Sequence, residues 1–185
     1  MTHATQAEHD LFADTLVCDD EFPWQLRIAA GSGDSAAAGR RAETMLRAMA
    51  CLDEPRADDA DNLEPVAPRV EAKLDLALGM LAALIAERTP LPPSAALRWS
   101  RHGFRVCSKE AFTPGNSAIL GMYLAAALPF AITVPVRVLA CEQCDMGHAL
   151  WLDLPDATPA LSAALERELF RRHRRLVHEQ RHPTR

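Results

Sequence analysis

The stretch from Pro65 to Pro93 restricts the chain more than any other. Ala67, Val70, Leu74, Ala77, Leu81 and Leu84 recur at alternating steps of three and four, which is the heptad seam of a helix packing on other helices. Pro65 and Pro68 suit the first turn, where a missing N–H costs nothing. Glu64 complements the helix dipole there, and Pro90, Pro92 and Pro93 stop the helix. Leu78 and Ile85 widen the apolar face beyond one seam. A face that wide can contact two neighbours, the body of its own chain and a second copy. Two readings are open: a monomer with the helix packed on its own body, or a homo-oligomer, dimer or tetramer, held through Val70, Leu74, Ala77, Leu81 and Leu84 in an intermolecular coiled coil.

After Pro93 the period changes from helical to alternating. Leu97, Trp99, Phe104 and Val106 flank Ser100-Arg101-His102-Gly103 as two strands and a turn. Thr113-Pro114-Gly115-Asn116 is a turn signal. A strand is expected over Ile132 to Leu139, rich in β-branched residues with Pro135 at an edge or bulge. A hairpin loop over Glu142 to Gly147 and a last strand over Ala149 to Leu154 follow. Thr158-Pro159 caps a C-terminal helix to about Gln180 with Leu161, Leu165, Leu169, His173 and Leu176 on one face, and Phe170 and Val177 beside it. Upstream, Ala42, Met45, Met49 and Leu52 mark a helix over 37–52, after a flexible connector at Gly31 to Ser35. Leu11 to Val17 and Phe22-Pro23-Trp24 read as extended or irregular chain packing its aromatics on the domain. The order helix, helix, antiparallel strands, helix is α+β.

The expected divisions are 1–62, an N-terminal extension with one helix packing on the strands; 63–90, the heptad helix; 94–156, the β core; and 157–182, the C-terminal helix. With 185 residues, 49% hydrophobic and 24% charged, the chain can bury a real core without disulfides. Its five cysteines are odd in number and scattered, the pattern of reduced thiols in a cytoplasmic protein. A net charge of -5 gives no bulk attraction to nucleic acid. The apolar windows Leu74 to Ile85 and Ile119 to Val138 are too interrupted for a membrane span. Met1 to Asp14 lacks the basic start and apolar run of a signal peptide. No Gly-rich phosphate loop, nucleophile elbow or His-Glu-x-x-His is present, and His3, His9 and His182 fall in expected tails, so catalysis is not expected.

The unit Arg98-Trp99-Ser100-Arg101-His102-Gly103-Phe104 resembles the Asp-x-Ser-x-x-Gly signature of PilZ domains, small β-barrels many of which bind cyclic di-GMP. Pro114-Gly115, the strand ending near Leu128-Pro129, and the strands at Val134 to Leu139 and Leu150 to Leu154 resemble the rest of that layout. Arg69 to Asp75, the Pro-Pro step, Leu97 to Ser100 and Arg167 to Arg175 resemble an atypical, helix-extended PilZ branch that assembles through its helices. The resemblance implies a PilZ-like antiparallel β-barrel with long flanking helices, and a regulatory or scaffold role of the cyclic di-GMP signalling type. Its partner would be another signalling or motility protein.

In such a motif the glycine permits a tight turn, and the hydroxyl and open backbone groups can bond a guanine edge or phosphate. The matching positions are Arg98, Ser100, Arg101 and Gly103. The usual pattern also has an upstream Arg-x-x-x-Arg whose guanidiniums grip the phosphates. Here no two arginines stand four apart upstream of Ser100, and Arg98 replaces the signature Asp. Arg101 and Arg105 are four apart downstream and would share a strand face. The implied function is therefore non-catalytic, exerted through oligomerisation and protein contacts with weak or no binding of cyclic di-GMP; a receptor with an altered cradle is the alternative.

A second alternative is a metal or redox module. Cys141 and Cys144, with His148 behind and Cys107 or Asp145 as a fourth ligand, have zinc-ligand chemistry, and a Cys-x-x-Cys can also cycle as a redox pair. A lone pair is a weak metal signal, and no metal or other cofactor is assigned. The run Arg171-Arg172-His173-Arg174-Arg175 leaves three readings open: a solvated face, a rim paired with Asp58, Asp59 and Asp61, or a phosphate-binding surface.

Overall fold

The computed structural model describes residues 2–53, 76, 77, 80, 84, 91–124 and 130–181. Among them are α1 (His3–Phe12), β1 (Cys18–Ile28), α2 (Ser32–Asp53), β2 (Ser94–Trp99), β3 (Gly103–Ser108), β4 (Ser117–Met122), β5 (Ile132–Cys144), β6 (Gly147–Asp153) and α3 (Pro159–Arg181). The six strands pair antiparallel in the order β1-β2-β3-β6-β5-β4, and β4 returns to β1 to close a barrel. Closure leaves no free sheet edge.

β1 makes closure possible by serving two neighbours in turn. Cys18 to Pro23 pair with β2, and Trp24 to Ile28 pair with β4. Pro23 sits at the changeover, where its lack of an N–H costs no ladder bond, and its carbonyl accepts from Tyr123 N at 3.0 Å. Residues before Pro93 therefore supply a barrel strand as well as helices, and the chain expected to be irregular around Phe22-Pro23-Trp24 is β1. His3 and His9 lie on α1 rather than in a tail. The helix expected from residue 37 starts at Ser32, inside the stretch read as a connector.

Alternation fills the barrel interior. Leu97, Trp99, Phe104, Val106, Leu120, Val134, Val136, Leu150 and Leu152 are buried there, with Trp99 stacked on its cross-strand partner Phe104 at 6.2 Å between ring centroids. Such a pair adds about 0.5–1.5 kcal/mol beyond the area it buries. α2 lies across β5 and beside α3, burying Ala38, Ala42, Leu46 and Met49. Thr158 Oγ1 accepts from Leu161 N at 3.1 Å, as expected of an N-cap. α3 buries Leu161, Leu165 and Leu169, while Phe170 and His173 face solvent.

α1 packs on the outer side of β5 and β6 and has a small core of its own. Ala4, Ala7, Leu11 and Phe12 meet Ala140 and Trp151. A bulge makes this second core: the β5–β6 register slips between Val138 and Ala140, leaving Leu139 extra. Val138 thus faces the barrel interior while Ala140, two residues on, belongs to the outer core under α1.

Of the expected oligomer seam, Val70, Leu74 and Leu81 lie outside the described residues. Ala77 and Leu84 are helical and exposed, as are Leu76 and Met80. No helix among the described residues is long and apolar enough to cross a membrane.

Candidate functional site

The signature turn joins β2 to β3. Ser100 N donates to Gly103 O at 2.9 Å, and Ser100 Oγ accepts from His102 N at 3.0 Å, the hydroxyl-to-backbone bond that favours serine in turns. The same Oγ donates to Leu11 O at 2.5 Å, where α1 ends over the turn. The Ser100 side chain is sealed from solvent, at 0% exposure. Gly103 meets a separate demand: a Cβ there would stand 2.1 Å from Leu152 O and 2.8 Å from Leu11 Cδ2, so only glycine lets β3, β6 and α1 approach this closely.

Arg98 and Arg105 are direct cross-strand partners on the outer barrel face. Two facing cations repel, and a shared anion is the remedy. Glu8 of α1 is that anion: its carboxylate lies 3.2 Å from Arg105 Nη1 and 3.8 Å from Arg98 Nη1, and accepts from Trp151 Nε1 at 2.6 Å. Asp19 stands 3.9 Å from Arg98 Nε, and the Arg98 guanidinium lies over the Phe12 ring, 5.2 Å from its centroid. Two shallow clefts share Arg98, Arg105 and Trp151.

The four motif positions do not converge on one open cradle. Arg98 is held toward α1, whereas Arg101 pairs with Glu166 of α3 at 3.5 Å. Arg101 lies in the turn before β3 begins at Gly103, so the strand alternation expected to align it with Arg105 does not operate. Arg98 and Arg105 are instead the guanidinium pair. Glu8, Phe12 and Trp151 complete the constellation from distant sequence, and no local motif announces them.

The cysteines are likewise re-sorted. β5 runs through to Cys144, so residues 141 and 144 fall on opposite faces of a strand. Cys141 packs against the barrel core, whereas Cys144 is exposed with its Sγ 3.1 Å from Cys107 Sγ. Cys141, Cys144 and His148 are not brought together, and among the described residues no three His, Cys, Asp or Glu side chains form a metal-binding group.

The basic run on α3 turns partly inward, an arrangement outside the three readings of its sequence. Arg172 reaches Glu168 at 2.9 Å, Asp20 at 3.6 Å and Leu124 O at 2.5 Å, and lies over the Phe22 ring. Arg171 joins Glu168 and donates to Met49 O at 3.2 Å, tying α3 to α2. Asp20 also accepts from Trp99 Nε1 at 2.9 Å. Burial lowers the Arg172 pKa from its ordinary value, against the opposing pull of Asp20. Nearby, burial first and then the Asp20 charge push the Cys18 thiol up to about 11. Asp58, Asp59 and Asp61 lie outside the described residues.

A six-stranded closed barrel carrying a Ser-x-x-Gly turn and flanking helices is the architecture of a PilZ-type module. The profile of the atypical PilZ domain, described as a cyclic di-GMP receptor, matches residues 46–182, and this chain belongs to that family. It is also similar to a solved structure from Xanthomonas campestris, a pathogenic protein described as a tetrameric PilZ domain self-assembled through an unusual helical bundle. The two share 33% identity over 94% of this chain and 97% of that one, with a TM-score of 0.84. No curated protein matches the chain.

Proposed function

We propose that this chain is a non-catalytic PilZ-type scaffold or adaptor. It acts through self-assembly and contacts with another signalling or motility protein in the cytoplasm, with weak or no binding of cyclic di-GMP. The observation that carries this reading is Glu8. Its carboxylate stands between Arg98 and Arg105, where a ligand phosphate would need to stand, and α1 uses the Ser100 hydroxyl for itself. An anionic ligand would have to displace a carboxylate already held by two guanidiniums and an indole N–H. It would also have to uncover the apolar contacts of α1 with Ala140 and Trp151. The heptad seam and the helical-bundle assembly of the Xanthomonas protein support self-assembly here.

The receptor reading is favoured by one feature, the opposed Arg98 and Arg105, which would become a phosphate clamp if α1 moved aside. Calorimetric titration of the full chain with cyclic di-GMP separates the two. The scaffold reading expects no saturable heat at tens of micromolar ligand. Saturable binding at micromolar concentration, abolished by Arg98→Ala, would establish the receptor instead.

A further inference from the structure

We propose that Cys107 and Cys144 form a reversible intrachain disulfide on the outer face of the barrel, a covalent modification site built by the fold. The two sulfurs already touch, at 3.1 Å, although 37 residues separate them in sequence. The elements that carry them are fixed: six consecutive pairs join β3 to β6, and Cys144 pairs with Gly147 at the mouth of the β5–β6 hairpin. Gly147 has a φ of 133°, and a Cβ there would stand 2.3 Å from Ser108 O, so a glycine keeps this hairpin end pressed against the end of β3. Bond formation requires the sulfurs to close by roughly 1 Å to reach the covalent separation of about 2.05 Å, well within the reach of side-chain rotation.

Accessibility assigns the order of events. Cys144 is exposed, while Cys107 is only partly so. Both line an open cleft, beside Arg98, Arg105, Asp19 and Asp20, that a small oxidant can enter. The hydrogen bond with the Cys144 sulfur, and then burial, hold the Cys107 thiol above its ordinary pKa, which favours the exposed Cys144 as the first to react. With a hydroperoxide as oxidant, the Cys144 thiolate attacks the terminal peroxide oxygen. The O–O bond breaks, an S–O bond forms, and the other oxygen leaves protonated, giving a sulfenic acid. Cys107 sulfur, losing its proton, then attacks Cys144 sulfur; the S–O bond breaks and the oxygen departs as water. With hydrogen peroxide, two thiols and one peroxide become one disulfide and two waters. A dithiol reductant reverses the bond by exchange.

The sequence suggests a different pair, Cys141 with Cys144, which strand alternation separates. The experiment therefore discriminates between them. The full chain is reduced, freed of reductant, treated with a small excess of hydrogen peroxide, and mapped by mass spectrometry of non-reduced peptides. The expected result is a Cys107–Cys144 linkage, with the loss of two of the five thiols and their recovery with dithiothreitol. Cys141→Ala should give the same linkage, and Cys107→Ser should leave a sulfenic acid on Cys144 that dimedone traps. A linkage through Cys141, a bond between chains, or retention of all thiols while a free dithiol control is oxidised would overturn the proposal.

Discussion

Ser100 donates its one hydroxyl hydrogen to Leu11 and receives the His102 N–H, entirely out of contact with solvent. A residue that the motif suggests for ligand contact here joins α1 to the barrel. Cys18 is equally internal: its Sγ donates to Leu169 O at 3.7 Å, beneath α3. Its pKa rises from 9.0 to about 11 on folding, so between these values the unfolded chain loses a proton that the folded chain keeps. The stabilisation from this thiol is complete below about pH 9 and is lost as pH rises through about 11. Urea denaturation of wild type and Cys18→Ala at several pH values checks this. The wild type should lose stability more steeply across that window, and parallel curves would contradict the assignment. The motif serine, glycine and Arg98 were legible in the sequence, but their engagement was not. Glu8 meets Arg105 from 97 residues away and Trp151 from 143, and Phe12 lies under Arg98, a juxtaposition that no local spacing encodes.

The strands after Pro93, the Thr158 cap and α3 were legible because their periods are clean and many of their boundaries carry proline or glycine; two ends were not, since β4 stops at Met122 rather than near Leu128-Pro129 and β5 runs to Cys144 through the expected loop over Glu142 to Gly147. β1 and α1 were not, for separate reasons. In β1, Phe22, Trp24, Leu26 and Ile28 do alternate, but Asp19-Asp20-Glu21 and Pro23 mask the pattern; Asp20 is tolerated because Arg172 and Trp99 satisfy it. In α1 the first half of the buried stripe, Ala4 and Ala7, is alanine, which gives little hydrophobic signal. The attachment of α1 therefore depends heavily on Glu8. Glu8→Ala should leave two opposed guanidiniums and the Trp151 N–H without their shared acceptor. The expected cost is about 1–2 kcal/mol for these part-exposed groups, seen as faster amide exchange confined to residues 3–12. Unchanged protection in α1 would show that its apolar contacts suffice.

At the scale of the whole molecule, the barrel and the proposed assembly surface come from separate parts of the chain. Leu76, Met80 and Leu84 are helical and 65%, 61% and 55% exposed, one turn apart. Three large apolar side chains in a row are a face exposed among the described residues, which suits the proposed contact with other copies. Leu74→Asp or Leu81→Asp, each placing a charge in the heptad seam, should reduce the mass measured by light scattering to that of a single chain. The circular dichroism of the barrel should be retained. A wild-type chain already monomeric at micromolar concentration would refute assembly.

Residues 54–90 lie between α2, which ends at Asp53, and β2, which begins at Ser94. α2 packs across β5 and α3, and β2 lies in the ladder with β1 and β3. The strand pairing before and after the segment 54–90 involves none of its residues, so a change in its length would leave the barrel register intact while altering the reach of the proposed assembly.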